Sequence, residues 1–124
     1  MTGDYFRLRV LELAPQVFVA GQVFEQELKV AAEQGIRSVI NNRPDGESAN
    51  QPPSAHLAGV AEGLGMTYVH VPVVSGSITP QNIEEFRQVC ESLERPMLVF
   101  CRSGARSTVL WEMCEAAGMQ LDDK

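Results

Sequence analysis

The sequence predicts an α/β domain in which helices flank a mostly parallel central sheet. Short β-branched and apolar stretches at 38–40 and 98–100 are typical of interior strands of a parallel sheet. Between such stretches lie segments whose apolar residues recur every three or four positions, as on one face of a helix. This alternation predicts helical crossovers between parallel strands, and a length of 124 residues predicts one domain, 1–124.

The first half of the chain supplies two strands, a helix and a long loop. Residues 17–22 predict a short strand that ends at a glycine, and 24–35 predict a helix that Gly35 stops. A β-branched stretch predicts the next strand over 36–42. Residues 43–53 are rich in turn residues and breakers, and therefore predict a loop.

The second half continues the alternation and ends on a helix. Thr79 and Pro80 predict a helix start, because a capping side chain precedes a proline in the first helical position, and this helix ends before Pro96. The other predicted elements are a helix over 54–65, a strand over 66–74, a strand over 97–101 and a last helix over 106–117.

The composition excludes several classes of function. Apolar residues make up 44% of the chain and charged residues 21%, as in ordinary soluble proteins. No apolar run reaches the roughly 18 residues that predict a membrane span. The net charge of −6, without a basic stripe, argues against a nucleic-acid partner. A small anionic substrate remains compatible with this charge, because a cleft can be locally positive.

The three cysteines, Cys90, Cys101 and Cys114, are an odd number without paired spacing. They predict neither a disulfide framework nor a zinc site, and we expect no metal and no other cofactor. The expected compartment is therefore the cytoplasm. Cys90 and Cys114 fall on the apolar faces of their predicted helices, where packing in the core is expected.

Cys101 instead opens a polar loop, C-x-x-G-x-R-S, at the end of a predicted strand. Polar loops also leave strands at 41–47 and 74–79, and parallel sheets bind ligands beyond the carboxyl ends of their strands. Because Gly104 permits an unusual backbone angle, the loop amides can converge on one anion, next to the positive end of the last helix. The expected anion-binding residues are Arg102, Ser103, Gly104 and Ala105.

Three residues of this loop are candidate catalytic residues. The amides are expected to stabilise the thiolate of Cys101, lowering its pKa from about 8.5 to between roughly 3.5 and 7.5. Arg106 offers a planar pair of donors to an oxyanion, and Ser107 a hydrogen bond to the thiolate or to a leaving sulfur. The thiolate would attack while the loop holds the developing charge. A buried structural cysteine is the alternative, but it has no use for two arginines and a glycine at this spacing.

Three residues outside the loop are candidate accessory residues. Arg43 is either a second anion contact or part of a turn, and Asp45 is either a substitute general acid or a turn residue. His70 lies in a strand between two valines, where a structural role is favoured over that of a general acid or base.

Several pieces of the chain carry a family resemblance. FVAGQ, GIRSVINNRPDGE, YVHVPV, ITPQNIEEF and LVFCRSGARS resemble the phosphatase-like domain of beta-lactamase hydrolase-like proteins, a family related in fold to dual-specificity tyrosine phosphatases. The resemblance implies a cysteine-phosphatase fold and a site at Cys101 and Arg106. It also implies a partner domain of sulfide or persulfide metabolism, since some relatives are joined to one.

Three features depart from the phosphatases of this fold. Four residues rather than five separate Cys101 from Arg106, a spacing more similar to single-domain rhodaneses, which carry a cysteine persulfide. Phe100 stands where the phosphatases usually have histidine. The stretch 73–77 has no carboxylate, although those phosphatases place an acid there to protonate the leaving oxygen.

Three hypotheses therefore stay open. The favoured one is a cysteine-dependent, phosphatase-like hydrolase that acts through a covalent cysteinyl intermediate. The second is a rhodanese-like sulfurtransferase carrying a persulfide on Cys101, and the third is a non-catalytic module that binds an anion or a partner. The expected substrate is a small anion, namely a phosphate ester, thiosulfate or a persulfide.

Overall fold

The computed structural model describes residues 9–121, so the first eight and last three residues of the predicted domain lie outside it. The described chain forms strands and helices in an alternating order, which confirms the predicted α/β class. The elements are β1 (Val10–Ala14), β2 (Val17–Ala20), α1 (Glu25–Glu33), β3 (Ser38–Asn41), α2 (Ser54–Gly63), β4 (Thr67–His70), α3 (Pro80–Ser92), β5 (Met97–Phe100) and α4 (Ala105–Ala116).

The strands form one sheet in the order β1-β2-β5-β3-β4, and β5 lies at its centre. Neighbouring strands are parallel except for β1, which pairs antiparallel with β2. Phe100 at the end of β5 pairs with Ala20 on one side and Asn41 on the other. The carboxyl ends of β2, β5 and β3 therefore lie at one level, and the loops that follow them meet at one edge of the sheet.

Two apolar clusters cover the two faces of the sheet. One joins Phe86 of α3 with Leu110 and Trp111 of α4, and the other joins Leu28 of α1 with Leu57 of α2. Every residue of β5 is buried, as expected for an interior strand covered on both faces. The sheet thus presents β5 as a fixed base for the loop that follows it.

The predicted boundaries agree with most of the elements. Thr79 caps α3, since its hydroxyl oxygen accepts a hydrogen bond from the Asn82 amide at 3.1 Å, and Pro80 is the first helical residue. The strand predicted over 66–74 is shorter and ends at His70. Beyond it Val71 and Val73 still donate to the carbonyls of Asn41 and Asn42, but the intervening proline at position 72 has no N–H to donate.

One strand was not predicted. β1 pairs with β2 across a tight turn in which Gln16 has φ of 66°, and it forms one edge of the sheet. Within residues 9–121, no helix combines the length and the apolar character that crossing a bilayer requires.

Candidate active site

Cys101 directly follows the central strand and is only 1% exposed. Its amide donates to the Ala20 carbonyl at 3.4 Å, which holds the start of the loop against β2. Gly104 has φ of 96° and is the N-cap of α4. This left-handed conformation favours glycine, and it helps the four residues 101–104 turn the chain from β5 into α4.

The Cys101 sulfur faces the backbone amides of the residues that follow it. The Gly104 amide donates to Sγ at 3.1 Å. Burial raises the pKa of Cys101, but hydrogen bonds from the Ser107 hydroxyl and from the amides of Ser107, Gly104 and Ser103 lower it by more, so the net pKa is below that of an ordinary thiol. Arg106 lies in the first turn of α4, and its hydrogen bonds go to Glu47 and the Val73 carbonyl, not to Cys101.

The pKa values of the other two cysteines, Cys90 and Cys114, are raised instead of lowered. Both are buried in the cluster between the sheet and the pair α3 and α4. Burial raises the pKa of the Cys114 thiol to about 11, and it raises that of Cys90 further above the ordinary range. Thiols in such surroundings stay protonated at neutral pH and pack as small apolar groups.

Asn42 anchors Ser107. The Asn42 amide nitrogen donates to the Val71 carbonyl at 3.0 Å, which turns its oxygen toward Ser107, and the Ser107 hydroxyl donates to that oxygen at 2.8 Å. Asn42 and Ser107 are both fully buried. A hydroxyl has one hydrogen, so its donation to the Cys101 sulfur requires the hydroxyl to turn away from Asn42.

Arg106 is held in place by two partners. Its Nη1 donates to the Val73 carbonyl at 3.0 Å and to Glu47 at 3.1 Å, and its Nη2 donates to Glu47 at 3.2 Å. The Arg106 side chain is only 8% exposed. Its Nε has no hydrogen-bond partner.

Glu47 joins two arginines. Besides its contacts with Arg106, one of its oxygens accepts from Arg43 Nε at 2.9 Å. Partial burial raises the pKa of Glu47, but hydrogen bonds and charge from Arg106 and Arg43 lower it by more, so its pKa lies below the ordinary value. The loop 43–53 therefore delivers a fixed carboxylate to the loop that follows Cys101.

The candidate accessory residues occupy structural positions. Arg43 is 4% exposed, and its remaining two nitrogens donate to Gln22 at 2.9 Å and Ser48 at 3.5 Å. Asp45 accepts from the Ser54 amide at 2.8 Å and so caps the start of α2. His70 Nε2 lies 2.8 Å from the Arg43 carbonyl oxygen, as expected for a structural histidine.

A cleft of about 560 Å³ opens over the loop. It brings together Cys101 and Arg106 with three of the four expected anion-binding residues, while Arg43, Asp45 and His70 are not part of its wall. The lining residues are Glu47, Ser75, Cys101, Arg102, Ser103, Ala105 and Arg106. Between residues 9 and 121, no group of three or more His, Cys, Asp or Glu side chains is arranged to hold a metal ion.

Sequence reasoning missed Glu47 and Gly21. Glu47 belongs to the piece RPDGE that carried the resemblance, but its pattern alone indicated only a loop. Gly21 supports the site loop from behind: the next amide, of Gln22, donates to the Arg102 carbonyl at 3.1 Å. A Cβ added at Gly21 would lie 3.0 Å from that carbonyl oxygen.

We therefore expect Gly21→Ala to displace the Arg102 carbonyl and, with it, the amides that face the sulfur. Overpacking of this kind costs about 1–3 kcal/mol, and the expected result is a slower reaction of Cys101 with iodoacetamide at pH 7. Gly59→Ala is the matched control, because a Cβ there meets nothing within 4 Å and lies in helix α2. Equal reactivity in both variants would show that the contact at Gly21 does not position the loop.

Known proteins resemble this chain in both sequence and structure. A sequence profile of the phosphatase-like domain of beta-lactamase hydrolase-like proteins matches residues 7–118. The chain belongs to this family. Two proteins named beta-lactamase hydrolase-like protein match it: one from Xylella fastidiosa strain 9a5c is 35% identical over 108 residues, and one from Agrobacterium fabrum strain C58 is 31% identical over 109.

Those relatives are much longer than this phosphatase-like domain. The matches cover 87% and 88% of the chain, but only 25% of each relative. The domain thus spans about a quarter of the length of the curated relatives it matches.

Solved structures share the fold. A protein from Neisseria meningitidis Z2491, described as a candidate phosphatase, is 34% identical with a TM-score of 0.82, covering 92% of this chain and 82% of that one. Siw14 from S. cerevisiae, a PP-IP phosphatase, is 12% identical with a TM-score of 0.69 over 89% and 66% of the two chains. Kinase associated phosphatase is 15% identical with a TM-score of 0.70 over 90% and 74%. The last two show the fold alone, which is the predicted cysteine-phosphatase fold.

Proposed function

We propose that this phosphatase-like domain is a cysteine-dependent hydrolase in which Cys101 attacks phosphorus. The proposal depends on which N–H groups of Arg106 donate hydrogen bonds within the protein and which do not. A guanidinium has five N–H donors, and three of them go to Glu47 and the Val73 carbonyl. The Nε–H without a partner and the remaining Nη2–H lie on one edge of the planar group.

That free edge matches an oxyanion. Two parallel N–H donors on a planar guanidinium form a bidentate pair with two oxygens of a phosphoryl group. A buried donor without a partner costs about 1–3 kcal/mol, so an oxyanion that accepts from Nε recovers this energy. Arg106 and Cys101 line the same cleft, so the bound group would sit beside the sulfur.

The proposed reaction has two steps. The Cys101 thiolate forms a bond to phosphorus while the bond from phosphorus to the leaving oxygen breaks, and the electron pair stays on that oxygen. Water then attacks phosphorus, and the sulfur leaves as a thiolate. Loop amides and Ser107 stabilise the thiolate before the first step and after the second.

A sulfurtransferase is the second candidate. It is favoured by the four-residue spacing between Cys101 and Arg106 and by the carboxylate-free stretch 73–77. In this reaction the thiolate attacks the sulfane sulfur of thiosulfate, the S–S bond breaks, and sulfite leaves with the electron pair. A thiol acceptor then takes the sulfur from the Cys101 persulfide. The same arginine edge would hold the sulfonate oxygens.

We also propose a cellular compartment, a partner domain and a substrate class for this domain. The cytoplasm is the proposed compartment, because the cysteines within residues 9–121 are all free thiols. A sulfur-metabolism domain is the proposed partner, in keeping with relatives about four times as long as this chain. A small anion is the proposed substrate, and no nucleic-acid partner is proposed.

One experiment separates the candidates. The protein is incubated with an aryl phosphate or with thiosulfate, and turnover and the intact mass are measured for wild type and Cys101→Ser. Phosphate release that is lost in Cys101→Ser supports the hydrolase. A gain of one sulfur on Cys101 without phosphate release contradicts the hydrolase and supports the sulfurtransferase. If neither reaction occurs but Cys101→Ser still binds the anion, the protein is a binding module.

A further inference from the structure

We propose that the cleft selects phosphoryl groups carried on a weakly basic oxygen, as in aryl phosphates and phosphoric anhydrides, and discriminates against alkyl phosphates. The proposal rests on the proposed attack by Cys101. It concerns the leaving oxygen, on which negative charge develops as its bond to phosphorus breaks. An enzyme that donates a proton to this oxygen accepts basic leaving groups, and one that does not requires the leaving group to be stable as an anion.

Glu47 is the one carboxylate among the described residues that line the cleft. Its contacts with two arginines favour the ionised form, which cannot donate a proton. Its two oxygens accept two hydrogen bonds from Arg106, to Oε2 at 3.1 Å and to Oε1 at 3.2 Å, and one from Arg43, to Oε1 at 2.9 Å. Two guanidinium groups at contact distance favour the ionised form. The carboxylate therefore orients arginines and does not act as an acid.

The two other residues that sequence reasoning offered as acids are engaged elsewhere. Asp45 accepts from the Ser54 amide at 2.8 Å, and His70 Nε2 lies 2.8 Å from the Arg43 carbonyl oxygen. Neither lines the cleft. The cleft wall otherwise consists, over the described part of the chain, of serine, alanine, cysteine and arginine side chains, and arginine does not release its proton at neutral pH.

The consequence is selectivity by leaving group. A positioned general acid contributes typically about 10²–10⁴-fold to rate, and that factor is largest where the leaving oxygen is most basic. Without it, a nitrophenolate or a phosphate leaves readily, whereas the alkoxide of a serine or sugar phosphate does not. The same residues hold the phosphoryl group of all these substrates. We therefore expect alkyl phosphates to bind in the cleft but to turn over slowly.

The test uses substituted phenyl phosphates of graded leaving-group pKa, with kcat/KM measured for wild type and Glu47→Gln. We expect a steep fall of kcat/KM as the leaving-group pKa rises, a solvent isotope effect near one, and the same steepness in Glu47→Gln. A shallow dependence in wild type that becomes steep in Glu47→Gln would overturn the inference, because Glu47 would then be the acid.

A parallel series on Cys101→Ser separates this inference from the proposed function. If Cys101→Ser keeps the wild-type rates, the proposed function fails whatever the steepness. If turnover depends on Cys101 but alkyl phosphates react as fast as nitrophenyl phosphate, only the leaving-group inference fails.

Discussion

Replacing Arg106 by alanine is expected to weaken the binding of a tetrahedral oxyanion such as vanadate by about 30-fold or more. A charge-assisted, bidentate contact contributes on the order of 2 kcal/mol, and about 1.4 kcal/mol corresponds to a factor of ten in affinity. Arg106 Nε has no hydrogen-bond partner within the protein, so this edge of the guanidinium is available to the anion. Competitive inhibition of aryl phosphate turnover, or calorimetry with the inactive Cys101→Ser protein, measures the affinity.

Two variants control for general loss of charge and for loss of shape. Arg37→Ala removes an exposed arginine that pairs with Glu94, so vanadate affinity should not change. Arg106→Lys keeps the charge but not the planar pair of donors, and should restore only part of the affinity. Unchanged affinity in Arg106→Ala would mean that the free edge does not bind the anion.

Glu47→Gln is expected to weaken vanadate binding by about tenfold and to destabilise the fold by about 1–3 kcal/mol. The substitution keeps the shape but removes the charge that holds Arg106 and Arg43, and hydrogen bonds to charged groups contribute about 1.5–3 kcal/mol. Glu47 binds the outer edge of Arg106 and leaves the Nε edge free. Its loss therefore frees the guanidinium to move without opening a new anion contact.

Chemical denaturation and vanadate titration of Glu47→Gln measure these two effects. Glu94→Gln is the matched control, because the exposed pair of Glu94 with Arg37 should contribute only about 0–1 kcal/mol. Tighter vanadate binding in Glu47→Gln would contradict the account, since Glu47 would then compete with the anion. Because the folded-state pKa of Glu47 is lowered, its contribution is present above the ordinary value of about 4.3 and is lost as pH falls through the lowered pKa.

Much of the fold could be predicted because its signals are local. The interior strands β3 and β5 are short apolar runs, and Thr79 with Pro80 marks a helix start within two residues. The loop after Cys101 was also predictable, because a strand, a glycine and a helix start lie within a few residues of one another. A site whose donors are backbone amides of consecutive residues can be inferred from spacing alone.

Strand β1 could not be predicted from the usual hairpin signals. Two-residue hairpin turns are recognised by glycine or asparagine at the positions that need positive φ, but here Gln16 adopts φ of 66°. The strand sequence VLELA has no turn residue and no clear burial pattern, and its first three residues are exposed. Pairing with β2 decides its conformation, and this pairing is a tertiary effect.

The supporting residues of the site were hidden for a similar reason. Glu47 is 59 positions from Arg106, and Asn42 is 65 positions from Ser107. Their roles arise only when the loops after β3 and β5 meet at one edge of the sheet. Arg43 was predicted either to bind an anion or to form a turn, whereas the structure gives all three of its nitrogens protein partners.

The most direct test of the central claim is a pH titration of the Cys101 thiol. The rate of alkylation by iodoacetamide is measured from pH 4 to pH 10, with Cys101→Ser as the control for the buried cysteines 90 and 114. The account predicts a midpoint clearly below the ordinary thiol value of about 8.5, because loop amides and Ser107 stabilise the thiolate. A midpoint at or above that value would show that the loop does not activate the sulfur.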